Sequence, residues 1–275
     1  MSDPRPIGVF DSGVGGLSIL AAIRRSLPAE NILYFADQAH VPYGPRSLEE
    51  VASFSLGITH LLLALDAKLI VVACNTASAA ALKGLRERLP DVPFVGMEPA
   101  VKPAAKVTKS GHIGVLATPA TFQGQLFSSL VERFGEGLDI HQATAPGLVE
   151  RIEAGDLSSR STREILANAV RPLLADSIDT LVLGCTHYPF IIPLLQEIVG
   201  PAVKVIDPAP AVARQTRRLL DSHGLLVAEG APGSLTFVSS DDADHLAVLA
   251  QRLIGASGSR RRAKWDGDGS LVLAD

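Results

Sequence analysis

The stretch Leu69–Ser78, LIVVACNTAS, decides the fold. Five apolar residues, three of them β-branched, are too few for a free-standing helix and read as a buried strand. The run ends at Cys74, Asn75 and Thr76, and the alanine-rich segment after them reads as a helix. A polar residue between a buried strand and a helix lies at the carboxyl edge of a sheet, where open α/β sheets bind their ligands. The free N–H groups and partial positive charge of the helix start favour a thiolate there. Thr180–Pro189, TLVLGCTHYP, has the same layout: an apolar strand, then Cys185, Thr186 and His187. These are the chain's only two cysteines.

Outward from Cys74, IGVF (7–10) is a strand running into the tight turn DSGVGG (11–16), with a helix from about Leu17 to Ser26. NILYFAD (31–37) is a second strand, and QAHVPYGPRS (38–47) is a loop enforced by Pro42, Gly44 and Pro45. Ser47 caps a helix with Glu49 and Glu50 in its first turn, running to about Leu65. After the cysteine strand and its helix to Leu89, PFVGM (93–97) is a fourth strand.

The second half repeats the first. HIGVLAT (112–118) echoes PIGVFDS (6–12), LVLGCTH echoes IVVACNT, and KVIDPAPAVA (204–213) echoes FVGMEPAVKPA (94–104). Ile7 and Ile113 are 106 positions apart, Cys74 and Cys185 111, and Glu98 and Asp207 109. Three landmarks in one order at one spacing indicate two similar α/β units of ordinary domain size. Within the second unit the pattern predicts helix 120–134, strand 138–144, helices at 147–154 and 161–175, and a helix after Pro189. The segment beyond it, with a helix at 208–223, strand 235–239 and helix 241–254, returns to complete the first unit. The expected division is residues 1–98 plus 209–255, then 99–208, with 256–275, which contains SGSRRRAKWDGDG, as a mobile, solvated tail.

Composition narrows the function. A chain of 275 residues, 47% hydrophobic and 20% charged, can bury substantial cores. A net charge of −4 gives no reason to expect nucleic-acid or membrane binding. The apolar span LLLALDAKLIVVAC is interrupted by Asp66 and Lys68 and is too short to cross a bilayer. MSDPRP has no secretory apolar run, so a cytoplasmic location is expected. Two cysteines in so long a chain are not a disulfide framework.

A buried cysteine is more often an inert thiol than a reactive one. The positions of these two point elsewhere. Two α/β units with their sheet edges opposed would bring the thiols to either side of a shared cleft. One chemistry needs such a pair: removing a proton from one face of a carbon and returning one to the other. A thiol with a reference pKa near 8.5 calls for a helper, and Asp11 beside Cys74 and His187 beside Cys185 are the candidates. Carboxylates on the substrate would be met at the strand-to-helix turns holding Ser12 and Gly13, Asn75 and Thr76, and Thr118 and Thr121. A dinucleotide fingerprint fails at Ser18, a phosphatase loop at Ala80, and the cysteine–histidine spacing is wrong for structural zinc. No cofactor or metal is required.

The residues DSGVGG (11–16), VPYG (41–44), ACNTAS (73–78), GCTHYP (184–189) and IDPA (206–209) together resemble the glutamate racemase family of the aspartate/glutamate racemase superfamily, over nearly the whole chain. The resemblance implies two α/β domains with the active site between them, no cofactor, and interconversion of L- and D-glutamate for peptidoglycan. It implies that Cys74 and Cys185 are the acid/base thiols, assisted by Asp11 and His187, with Glu150 supporting the histidine. It implies substrate contacts from Asp11, Ser12, Tyr43, Gly44, Asn75, Thr76, Thr118, Thr121, Thr186 and His187. QATAPGLVE (142–150) and FVSSDDADHL (237–246) depart from the family's usual wording, as does Pro119 between the two threonines. A small-molecule substrate and a homodimer are the partners implied. The alternatives are a racemase for aspartate or another amino acid, a non-catalytic binder of an acidic ligand, and a redox switch joining the two thiols.

Overall fold

The computed structural model describes residues 2–228, 230–267 and 269–274. In chain order the first part holds β1 (Ile7–Asp11), α1 (Leu17–Ser26), β2 (Ile32–Ala36), α2 (Leu48–Ala64), β3 (Leu69–Val72), α3 (Asn75–Arg88), β4 (Phe94–Val95) and α4 (Val101–Val107). The middle holds β5 (His112–Ala117), α5 (Pro119–Gln123), α6 (Gln125–Phe134), β6 (Asp139–Ala143), α7 (Leu148–Glu153), α8 (Arg160–Ala175) and β7 (Thr180–Gly184). Next come a 3-10 turn (Tyr188–Ile191), α9 (Ile192–Val199), β8 (Lys204–Ile206), α10 (Ala209–Ser222), β9 (Leu235–Ser239), α11 (Ala243–Ile254), β10 (Ser259–Trp265) and β11 (Leu271–Ala274).

The strands form two sheets. One has the order β11-β10-β9-β2-β1-β3-β4, the other β6-β5-β7-β8. All pairings are parallel except β10 with β11. The run β2-β1-β3-β4 has the same layout as β6-β5-β7-β8, so the repeat legible in the sequence is also a repeat of topology. In both, the strand carrying the cysteine at its carboxyl end is the neighbour of the first strand of its unit.

Alternation along the strands loads both faces of each sheet. Ile7 and Val9 of β1 join one buried cluster with residues of α1, α10 and α11, while Phe10 joins another with α2 and α3. In the second sheet Leu181 and Leu183 pack with α7, α8 and α9, and Val182 packs with α4 and α6. Ser47 closes a capping box with Glu50 at the start of α2, worth about 1 kcal/mol at such sites.

Two expectations are corrected, and one helix is added. The expected helix over 120–134 is two helices broken at Gly124, where a Cβ would lie 2.7 Å from the Cβ of Ala79 on α3. The helix α4 is masked in the sequence because Pro103 falls inside it; the proline sits in the first turn, where its missing N–H costs nothing. Most consequential, the segment expected to be a mobile tail extends the first sheet by two strands. β10 pairs with β9 and β11 pairs with β10. The buried face of this hairpin consists of Ala263 and Leu271 with the partly buried Trp265 and Leu273, all packed in the cluster built on α2. The other face carries Arg260 and Arg262, exposed, and a strand that hides so few apolar side chains reads as a solvated charge run.

Candidate active site

The carboxyl ends of β1, β3, β5 and β7 meet around a cavity of about 190 Å3. That is smaller than the roughly 300–1,000 Å3 of sites for drug-sized ligands, and suits a small molecule. Ser12, Tyr43, Gly44, Cys74, Asn75, Thr76, Thr118, Glu150, Cys185, Thr186 and His187 all line it. Two of the expected residues do not. Thr121 stands behind the wall, its hydroxyl 2.9 Å from that of Thr118, which lies 2.9 Å from that of Thr76. Asp11 is fully buried beneath the floor.

Cys74 is the N-cap of α3, and its Sγ accepts from the Ala77 amide at 3.5 Å. From the sequence, this helix start should favour the thiolate. The structure reverses the balance: burial pushes the Cys74 thiol up, the charge of Asp11 pushes it further, and the Ala77 and Ser12 amides oppose them without winning. Burial and Asp11 together thus favour the thiol over the thiolate at Cys74. Asn75 beside it is buried, and neither its side-chain oxygen nor its nitrogen has a partner among the described residues. Buried amides normally find partners, and this one lines the cavity with both of its polar atoms unpaired among the described residues.

Cys185 comes directly after β7, and its Sγ lies 3.7 Å from Nδ1 of His187. Nε2 of the same ring lies 2.5 Å from Oε1 of Glu153. Burial alone would lower the His187 pKa, but the bonds to Cys185 and Glu153 outweigh it and hold the ring well above the usual imidazole range. The carboxylate behind the histidine is Glu153, not Glu150: the two are one helical turn apart on α7, and Glu150 faces the cavity instead. Glu153 also accepts from the Val14 amide at 2.8 Å. Only tertiary packing distinguishes these two glutamates, since both fit the helical spacing.

Asp11 joins the two halves. Its Oδ2 accepts from the Thr186 hydroxyl at 2.7 Å, and its Oδ1 from the Ser12 hydroxyl at 2.9 Å and the Gly13 amide at 3.2 Å. Burial raises its carboxyl pKa against the opposing pull of His187 and these hydrogen bonds. Its effect on Cys74 is thus through charge. The glycines of DSGVGG have a reason the sequence does not show. A Cβ on Gly13 would fall on the Glu153 carboxylate, and one on Gly15 would lie 2.5 Å from Nδ1 of His187. Gly13 and Gly15 are needed because the other half presses against the turn, and Gly16 because a Cβ there would lie 2.7 Å from the Asp11 Cβ and 2.9 Å from the Tyr34 hydroxyl.

Both cysteines are free thiols. Among the described residues no group of three or more His, Cys, Asp or Glu side chains is placed to hold a metal ion, and no helix is long and apolar enough to cross a membrane. The arrangement is an α/β cleft presenting one thiol from each of two repeated units, with a separate polar support for each. The chain belongs to the Asp/Glu/Hydantoin racemase family, whose model matches residues 7–216, and it is an isomerase acting on amino acids. It is 52% identical over 250 residues to the glutamate racemase of Ectopseudomonas mendocina, covering 91% of this chain and 95% of that one. It superposes on glutamate racemase isoform RacE1 of Bacillus anthracis with a TM-score of 0.86 at 35% identity, covering 93% and 96% of the two chains. The Escherichia coli glutamate racemase, solved with L-glutamate and the activator UDP-MurNAc-ala, matches with a TM-score of 0.83 at 32% identity over 99% and 100%.

Proposed function

We propose that the protein interconverts L- and D-glutamate without a cofactor, using Cys74 and Cys185 as acid and base on opposite faces of Cα. The observation that carries this reading is the pair of thiols lining one small cavity from equivalent strand ends of two repeated units. The thiolate on one side removes the Cα proton as the thiol on the other delivers one, and the reverse reaction exchanges the roles. His187, backed by Glu153, is placed to take or return the proton of Cys185. On the other side Asp11 and the amides of Ser12 and Ala77 set the state of Cys74. The unpartnered Asn75 amide, the helix starts at Thr76 and Thr118, and Tyr43–Gly44 supply donors for the substrate's carboxylates. Glutamate rather than aspartate is favoured by the relatives' names and by the L-glutamate held in the Escherichia coli structure. On the same reading the enzyme is a cytoplasmic homodimer that supplies D-glutamate to peptidoglycan.

The test is incubation with L-glutamate in deuterium oxide, with chiral separation of the products. The expected product is D-glutamate carrying deuterium at Cα. No exchange at Cα, or faster turnover of L-aspartate than of L-glutamate, would overturn the assignment.

A further inference from the structure

Outside the thiol site, a buried polar cluster surrounds Asp37, at the end of β2. Its side chain is fully buried. Oδ2 accepts from the Tyr43 hydroxyl at 2.6 Å and lies 2.9 Å from Nδ1 of His40. Oδ1 accepts from the Ser240 hydroxyl at 2.7 Å and from the indole nitrogen of Trp265 at 2.8 Å. One carboxylate thus spans three chain segments: the loop 38–47, the end of β9, and the C-terminal strand β10. The apolar side of the contact agrees. The His40 ring stacks on Phe54 of α2 at 3.9 Å and 8°, and Trp265 meets both, at 5.3 Å from His40 and 5.6 Å from Phe54. Gly57 makes room for the indole, since a Cβ there would lie 2.8 Å from it.

We propose that the C-terminal hairpin is part of the substrate-binding apparatus, with Trp265 and Asp37 as positioning residues that fix the loop carrying Tyr43 and Gly44 over the cavity. This rests on the reading of Tyr43 and Gly44 as substrate contacts. The physical case is that a loop containing two prolines and a glycine has no ladder of its own to hold it. Its position is set by what its side chains grip, and Tyr43 and His40 both grip Asp37. Two of the four bonds on that carboxylate come from residues 240 and 265, so losing the indole donor leaves one oxygen half satisfied and slackens the loop.

The chain has a single tryptophan, and Trp265→Phe removes the N–H together with the five-membered ring that carries it, while keeping a six-membered ring in the stack. Because binding and not chemistry is affected, KM for glutamate is expected to rise about three- to tenfold, with kcat within about twofold of the parent. Hydrogen–deuterium exchange on the unliganded protein is expected to quicken in residues 38–47 and stay unchanged in 69–78. Ser240→Ala, which takes the other donor from the same oxygen, is expected to act in the same direction and serves if Trp265→Phe fails to fold. Unchanged KM and unchanged exchange in 38–47 would overturn the proposal, as would exchange that quickens equally through both segments. If the parent enzyme fails to racemise glutamate, the functional reading falls, and the exchange comparison still decides whether the hairpin holds the loop.

Discussion

Cys74 and Cys185 occupy equivalent strand ends in two units of the same topology, yet their surroundings have diverged. Around Cys74 the supports are backbone amides and a buried carboxylate, and burial with that carboxylate pushes the thiol up. Around Cys185 there is a titratable relay, with His187 beside the sulfur and Glu153 behind the ring. A duplicated scaffold gives two thiols the same placement without giving them the same surroundings. The difference resides in residues that cross between the units. Asp11 of the first reaches Thr186 of the second, and Glu153 of the second reaches Val14 of the first.

The sharpest way to break this comparison is to remove either sulfur. Cys74→Ser and Cys185→Ser are each expected to lower racemisation, measured by chiral chromatography, by at least about a thousandfold, the scale of a lost general acid or base. Because the proposed thiols act on opposite faces of Cα, residual Cα–deuterium exchange without net inversion will appear from opposite enantiomers in the two variants. Gly15→Ala comes next. Its methyl group displaces the His187 ring, and a misplacement of that size costs about a hundredfold in kcat; Ala substituted at the open position Gly84 is the control.

Glu153→Gln and Glu150→Gln then separate the two glutamates. Only the first is expected to lower kcat, by about tenfold. It is also expected to move the alkaline limb of the pH–rate profile to lower pH, because His187 loses the carboxylate that holds its proton. The smallest effect is on stability. The His187 pKa is raised on folding, so the folded form binds its proton more tightly than the unfolded chain does. That stabilisation is complete below about pH 6.5, the value for unfolded histidine, and is lost as pH rises through the raised value in the fold. The Tm advantage of the parent over Glu153→Gln, measured by calorimetry, is therefore expected to be largest at mildly acidic pH and to shrink toward alkaline pH.

Legibility in the sequence has a physical pattern. Strands whose side chains are apolar on both faces, such as β3 and β7, announce themselves, and so does any polar residue placed at their ends. Cys74, Cys185, Asn75, Thr76 and Thr186 can be found this way, and all line the cavity. Glu153 is hidden behind Glu150 because helical spacing admits either. The hairpin β10–β11 reads as solvent-facing because an edge element with one thin apolar stripe is dominated by its arginines.

By itself the sequence determined the repeated α/β layout, the order of the strands from β1 to β9 and the placing of a thiol at the end of each cysteine strand. Those features arise from local hydrophobic periodicity, which acts over a few neighbouring residues. The tertiary structure decided which carboxylate stands behind His187, which way the Cys74 proton equilibrium tips, and what Trp265 is joined to. Each of these depends on groups far apart in the chain, where burial and charge act through space and leave no trace in the spacing of residues.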